Sequence, residues 1–92
     1  MKKFHWIHAL PIGSEKNFII LLDTTQLPVV RVCGSLDPEG DLFHVLVTNP
    51  DTKEKLTIEE LLSTKDAKEA VEKKLFDDGI IEDGDLVVDM TE

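Results

Sequence analysis

Tyrosine is missing from this chain, tryptophan and cysteine occur once each, and only 5% of its residues are aromatic. Without a series of exposed rings there is no stacking platform for single-stranded nucleic acid. Bases are also scarce: ten Lys and Arg against nineteen Asp and Glu leave a net charge of −9, which repels a phosphate backbone. Direct nucleic-acid binding is therefore not expected. The lone Cys33 excludes an internal disulfide and suits a reducing cytosol, so a cytoplasmic location is expected. No apolar run approaches the roughly 20 residues that span a bilayer. Lys2 and Lys3 are followed by Phe4-His5-Trp6-Ile7-His8, too short and too polar for a signal-peptide core. No membrane association is expected.

Also missing are a glycine-rich phosphate loop, a Gly-x-Ser-x-Gly elbow and a pair of carboxylates in an evident pocket. Three histidines and Cys33 lack zinc spacing: His5 and His8 stand three apart on a strand and face opposite ways. The acidic stretch Asp77 to Asp85 lacks the alternation of calcium ligands, because Ile80 and Ile81 interrupt it. The expectation is a protein that is not an enzyme and needs no cofactor or metal.

What is present is aliphatic. Residues 18–35 hold the densest β-branched and apolar run, divided by Thr24-Thr25-Gln26-Leu27-Pro28, and read as two central strands. A first strand over 3–10 alternates before Pro11-Ile12-Gly13-Ser14. A fourth, 42–48, follows a type I turn signal at Asp37-Pro38-Glu39-Gly40 and ends at Asn49-Pro50-Asp51. Thr57-Ile58-Glu59-Glu60 matches a capping box and opens a first short helix. Asp66 with Glu69 caps a second, which Gly79 ends at C′. A strand near 85–90 closes a single domain spanning 1–92. The expected fold is α+β: a four-stranded antiparallel meander, two short helices and a closing strand, ββββ-αα-β.

Placing Trp6 opposite Leu22, Leu22 opposite Val30 and Val30 opposite Val47 collects Phe4, Trp6, Ile20, Val32 and Val45 on one face, interrupted by His8 and Gly34. The helices are expected there. The second face then carries Ile7, Ile19, Leu21 and Leu46, ringed by His5, Asp23, Arg31 and His44, with Cys33 directly across from His44. An apolar centre left uncovered marks an interface. Charge is also uneven, since residues 75–92 hold seven acids and no base. Among them Asp77, Asp78, Glu82, Asp83, Asp85 and Asp89 fall within thirteen residues at a helix C-terminus, where the macrodipole disfavours them.

These features read as a small acidic non-enzymatic interaction domain, an adaptor or inhibitor. Its expected partner is a protein: a basic or nucleic-acid-binding protein at the acidic end, or a second copy through the second sheet face. The alternatives are a small-ligand-binding domain or accessory enzyme subunit with a pocket between sheet and helices, and a structural assembly protein.

Overall fold

Side-chain alternation along each strand decides which residues meet a helix, and here one helix serves the whole sheet. The computed structural model describes residues 1–92. In chain order it has β1 (Lys3–Ala9), β2 (Phe18–Gln26), β3 (Val29–Glu39), β4 (Leu42–Thr48), β5 (Lys55–Leu62), α1 (Thr64–Asp77) and β6 (Leu86–Asp89). Five strands form an antiparallel meander. The helix then carries the chain back over one face to the far edge, where β6 lies parallel to β1, so the sheet order is β5-β4-β3-β2-β1-β6. The architecture is α+β with a six-stranded, mostly antiparallel sheet and one helix, in place of four strands, two helices and a closing strand.

The segment expected to open the first helix is β5. Its backbone pairs with β4 from Thr48 opposite Lys55 to Phe43 opposite Leu62, with a bulge between, and Ile58 and Leu62 pack against the core. A helix of one or two turns is marginal in water, whereas strand pairing satisfies the otherwise bare edge of β4 and buries two aliphatic side chains. Ladder formation outweighs the local capping signal. The single helix begins at Ser63, whose hydroxyl accepts from the Asp66 amide at 3.3 Å. It ends where the sequence places its stop. Gly79 has φ +77°, its amide donates to Phe76 O at 3.0 Å, and the Ile80 amide donates to Leu75 O at 2.8 Å, the paired bonds of a Schellman motif.

Two turns also differ from expectation. Asp37-Pro38-Glu39 remains in β3, and the β3–β4 reversal is the two-residue Gly40-Asp41 step between paired Glu39 and Leu42, with Gly40 at φ +63°. The β2–β3 hairpin closes on Leu27-Pro28, with Gln26 opposite Val29. Asn49 organises the β4–β5 turn as its position suggests, accepting from the Asp51 and Thr52 amides through Oδ1.

The register corrects the face assignment. Trp6 pairs with Leu21, Leu21 with Gly34 and Gly34 with Val47. β1 and β4 present the expected residues to the helix, namely Phe4, Trp6, Phe43, Val45 and Val47. β2 is turned over: Ile19 and Leu21 are 6% and 0% exposed and belong to the core, while Phe18, Ile20 and Leu22 point away. A bulge in β3 at Cys33–Gly34 opposite Leu21 changes its parity, so Cys33 is buried and Val32 is 47% exposed.

From the helix come Ala67, Val71 and Leu75, all at 0% exposure, and from the segment after it Ile80 and Ile81. At roughly 2 kcal/mol for each large aliphatic side chain fully buried, this single layer is the main source of stability. Two ion pairs lie at its rim. Asp23, 4% exposed, accepts from Arg31 Nη2 at 2.6 Å. Lys68, 7% exposed, donates to Asp89 Oδ2 at 2.6 Å and to Thr91 Oγ1 at 2.7 Å, tying the helix to the end of β6.

Candidate interaction surface

With α1 on one side, the other side of the sheet has no second layer. Its residues follow from the pairing. One row crosses five strands as Ile7, Ile20, Ser35, Leu46 and Thr57. Towards the β1 N-terminus the next row holds His5, Leu22 and Val32, with Val88 of β6 beside His5. In the other direction lie Ala9 with Phe18 and Asp37 with His44. Ile7, Phe18, Ile20, Leu22, Leu46 and Val88 are half-buried by their neighbours alone, and Val32 and Leu86 are exposed. An apolar sheet face open to water on a small monomer is a recognised mark of an association site.

The polar groups of this face sit at its margins. His5 Nδ1 is hydrogen-bonded to Thr24 Oγ1 at 2.8 Å. His44 Nε2 contacts Glu39 Oε2, and Lys16 Nζ donates to Asp37 Oδ1 at 3.3 Å. Phe18, Ser35, Asp37, His44, Val45, Leu46 and Thr57 line a shallow, open depression of about 240 Å³. The largest hollow, about 380 Å³, lies elsewhere, between the β4–β5 turn and the helix end, and Glu54, Lys55, Lys74 and Asp78 charge its walls.

Comparison with known proteins found no matching family, no matching curated protein and no matching solved structure.

Of the residues singled out in the sequence for partner binding, Ile7 and Leu46 lie on the open face, while Ile19 and Leu21 are under the helix, out of a partner's reach. The residues that stand in their stead are Ile20 and Leu22, with Phe18 and Val32. Parity could not single them out, because residues 18–22 are all apolar; the one usable marker was Asp23, which shares a face with Leu21 and finds its countercharge in Arg31 there.

The expected juxtaposition of Cys33 with His44 does not occur. His44 pairs with Asp37 on the open face, and Cys33 is fully buried on the other. Burial, with the negative charge of Asp23 behind it, pushes the Cys33 thiol up to about 11, so at neutral pH it is a protonated core group. His8 is exposed, near the end of β1.

The acidic C-terminal residues divide by partner. Asp78 pairs with Lys74 at 3.1 Å and Glu82 with Lys2 at 3.1 Å. Asp85 accepts from the Lys2 and Glu82 amides, each at 2.9 Å, and those bonds hold its carboxyl below the usual range. Asp89 is bound by Lys68 and Thr91. Burial pushes its pKa up, but the bonds from those two residues outweigh that and leave it lowered. Asp77 and Asp83 are exposed and make no ion pair. Beside this network Trp6 Nε1 is buried with no partner at hydrogen-bond geometry, and Glu72 is the neighbouring carboxylate. Burial raises the Glu72 pKa more than the indole lowers it.

No helix is long and apolar enough to cross a membrane.

Proposed function

We propose that this chain is a small, acidic, non-enzymatic interaction domain that binds another protein through the open face of its sheet. The observation that carries this reading is the row Ile7–Ile20–Ser35–Leu46 with Leu22, Phe18 and Val32 around it, on the side of the sheet that the one helix does not reach. Burial of that row by a partner supplies the driving force, and the histidines and lysines at its margin supply orientation. A flat apolar centre favours a macromolecular surface over a small metabolite, which needs a concave site. The protonated, inaccessible Cys33 argues against thiol chemistry and fits a reducing cytosol as the setting.

The acidic C-terminus is the weaker binding candidate, since Asp78, Glu82, Asp85 and Asp89 are already engaged within the fold. Substitution of Ile20 by Glu tests the reading. It places a charge at the centre of the open face without touching the core. Partner capture from the native host should be lost while Trp6 fluorescence and far-UV dichroism stay those of the wild type. Retained capture with the acidic end charge-reversed at Asp77 and Asp83 as the only change that abolishes it overturns the reading.

A further inference from the structure

Two peptide bonds in this chain join aspartate to glycine, Asp78-Gly79 and Asp83-Gly84. Such a bond can rearrange without an enzyme, because glycine lacks the Cβ that otherwise shields its amide from the preceding carboxyl. The glycine nitrogen bonds to the aspartate Cγ, a carboxyl oxygen leaves as water together with the amide proton, and a five-membered succinimide closes. Water then adds to one of its two carbonyls. At Cγ it restores aspartate; at the main-chain carbonyl it leaves isoaspartate, whose backbone runs through Cβ and Cγ and is one atom longer. No oxidant, reductant or other reactant enters.

The fold treats the two bonds differently. Gly79 belongs to the Schellman motif: its amide donates to Phe76 O at 3.0 Å, the next amide donates to Leu75 O at 2.8 Å, and Lys74 Nζ holds Asp78 Oδ1 at 3.1 Å. Ring closure there must first break these bonds. At Asp83-Gly84 neither the Gly84 N–H nor the Asp83 carbonyl makes a hydrogen bond within the protein, the Asp83 carboxylate makes no ion pair, and both residues are exposed. The turn around them is closed only at its ends. There the Asp85 amide donates to Glu82 O at 3.1 Å and the Glu82 amide donates to Asp85 Oδ2 at 2.9 Å. The 83–84 peptide plane therefore rotates towards the Asp83 carboxyl with no hydrogen bond lost, and glycine at 84, with φ +88°, tolerates the change.

We propose that Asp83 is a self-modification site of the folded protein: it isomerises to isoaspartate while Asp78 is protected, and the change loosens β6 at the sheet edge. The consequence follows from position. An extra backbone atom in the turn 82–85 displaces Asp85, which ties that turn to Lys2 by accepting from the Lys2 amide at 2.9 Å. Leu86, where β6 begins, donates to Lys2 O at 3.0 Å. β6 has four residues and pairs with β1 alone, so few other backbone bonds hold it.

Incubation of the full chain for weeks at physiological pH and temperature, folded and in urea, tests this. An endoproteinase that cuts before aspartate but not before isoaspartate, with electron-transfer fragmentation of the products, counts isoaspartate at each position. In urea both sites should convert to a similar extent. In the folded protein position 83 should exceed 78 by about tenfold or more, since reaction at 78 waits on local opening of the helix end. Aged protein carrying isoaspartate at 83 should exchange its Leu86 and Met90 amides faster than fresh protein, with the Leu75 amide unchanged. Asp83→Glu, whose longer side chain closes a six-membered ring far more slowly, should abolish both the conversion and the loosening with age while Trp6 emission stays that of the wild type.

Equal conversion at 78 and 83 in the folded protein, or an excess at 78, overturns the inference. So does a folded chain that stays unconverted at 83 while the chain in urea converts. Conversion at 83 that leaves Leu86 exchange unchanged overturns the loosening of β6.

Discussion

Gly34 lets the helix side chain of Val71 seat directly against β3, and adding one methyl group there should measurably destabilise the protein. A Cβ on Gly34 stands 2.6 Å from Val71 Cγ1 and 3.5 Å from Cγ2, well inside contact distance. Gly34 has no positive φ, so the glycine serves close approach and not backbone freedom. Val71 cannot turn aside cheaply: a β-branched residue in a helix has essentially one χ1 rotamer, and this one is wholly buried. Relief must come from moving the helix outward from a layer that includes Leu75 and Ala67.

Overpacking of this kind costs about 1–3 kcal/mol, a large share of the roughly 5–14 kcal/mol expected for a domain of 92 residues. Val71→Ala alone should cost about 2 kcal/mol through lost burial and the space left behind. Combined with Gly34→Ala, the new methyl occupies part of that space. The double variant should therefore be more stable than the sum of the two single losses implies, by about 1 kcal/mol. Urea unfolding followed by Trp6 emission measures all four corners of the cycle. A neutral Gly34→Ala, or strict additivity, refutes the contact.

Lys68→Ala leaves Asp89 partly buried without its counter-ion and should cost about 3 kcal/mol, read by the same urea titration. Asp23 and Asp89 both have lowered folded pKa values, so their contribution is present above the ordinary carboxylate pKa and lost as pH falls through the lower folded values; Asp89→Asn should flatten the acid limb of stability below about pH 4. Glu72 is shifted the other way. Its raised folded pKa favours the fold as pH falls from neutrality towards the normal glutamate range, and Glu72→Gln should raise the urea midpoint at pH 7. Cys33 should not react with a thiol reagent at pH 8 in the folded state and should react stoichiometrically in urea; rapid labelling of the native protein refutes its burial. Asp85→Ala should speed hydrogen exchange at the Leu86 and Met90 amides, which donate to Lys2 O and Trp6 O, and leave the Leu75 amide of the helix unchanged.

Some of this protein is determined by the chain locally. In β1 and β4 polar residues mark the outward positions, His5 in β1 and His44 and Thr48 in β4, so the set facing the helix, Phe4, Trp6, Phe43, Val45 and Val47, is legible from residue types even though Ile7 and Leu46 lie on the other face. Helix α1 and its stop at Gly79 follow from period and turn chemistry, which involve neighbours a few positions away. The central strands are different. Five successive apolar residues from Phe18 to Leu22 carry no parity, and only the pairing of Trp6 with Leu21 decides that Ile19 is core and Ile20 is surface. The bulge at Cys33 then shifts β3 by one, a change that no repeat of two can announce.

Residues 55–62 carry a helix-start signal yet pair as a strand, because the hydrogen-bonding edge of β4 and the burial of Ile58 and Leu62 together exceed the free energy of a short helix in water. The acidic C-terminus shows the same division. Its charge is visible in the composition, but only the return of the chain across the sheet brings Asp89 to Lys68 and Asp85 to the Lys2 amide. Those contacts join residues 21 and 83 positions apart, and at such separations tertiary structure alone chooses the partner.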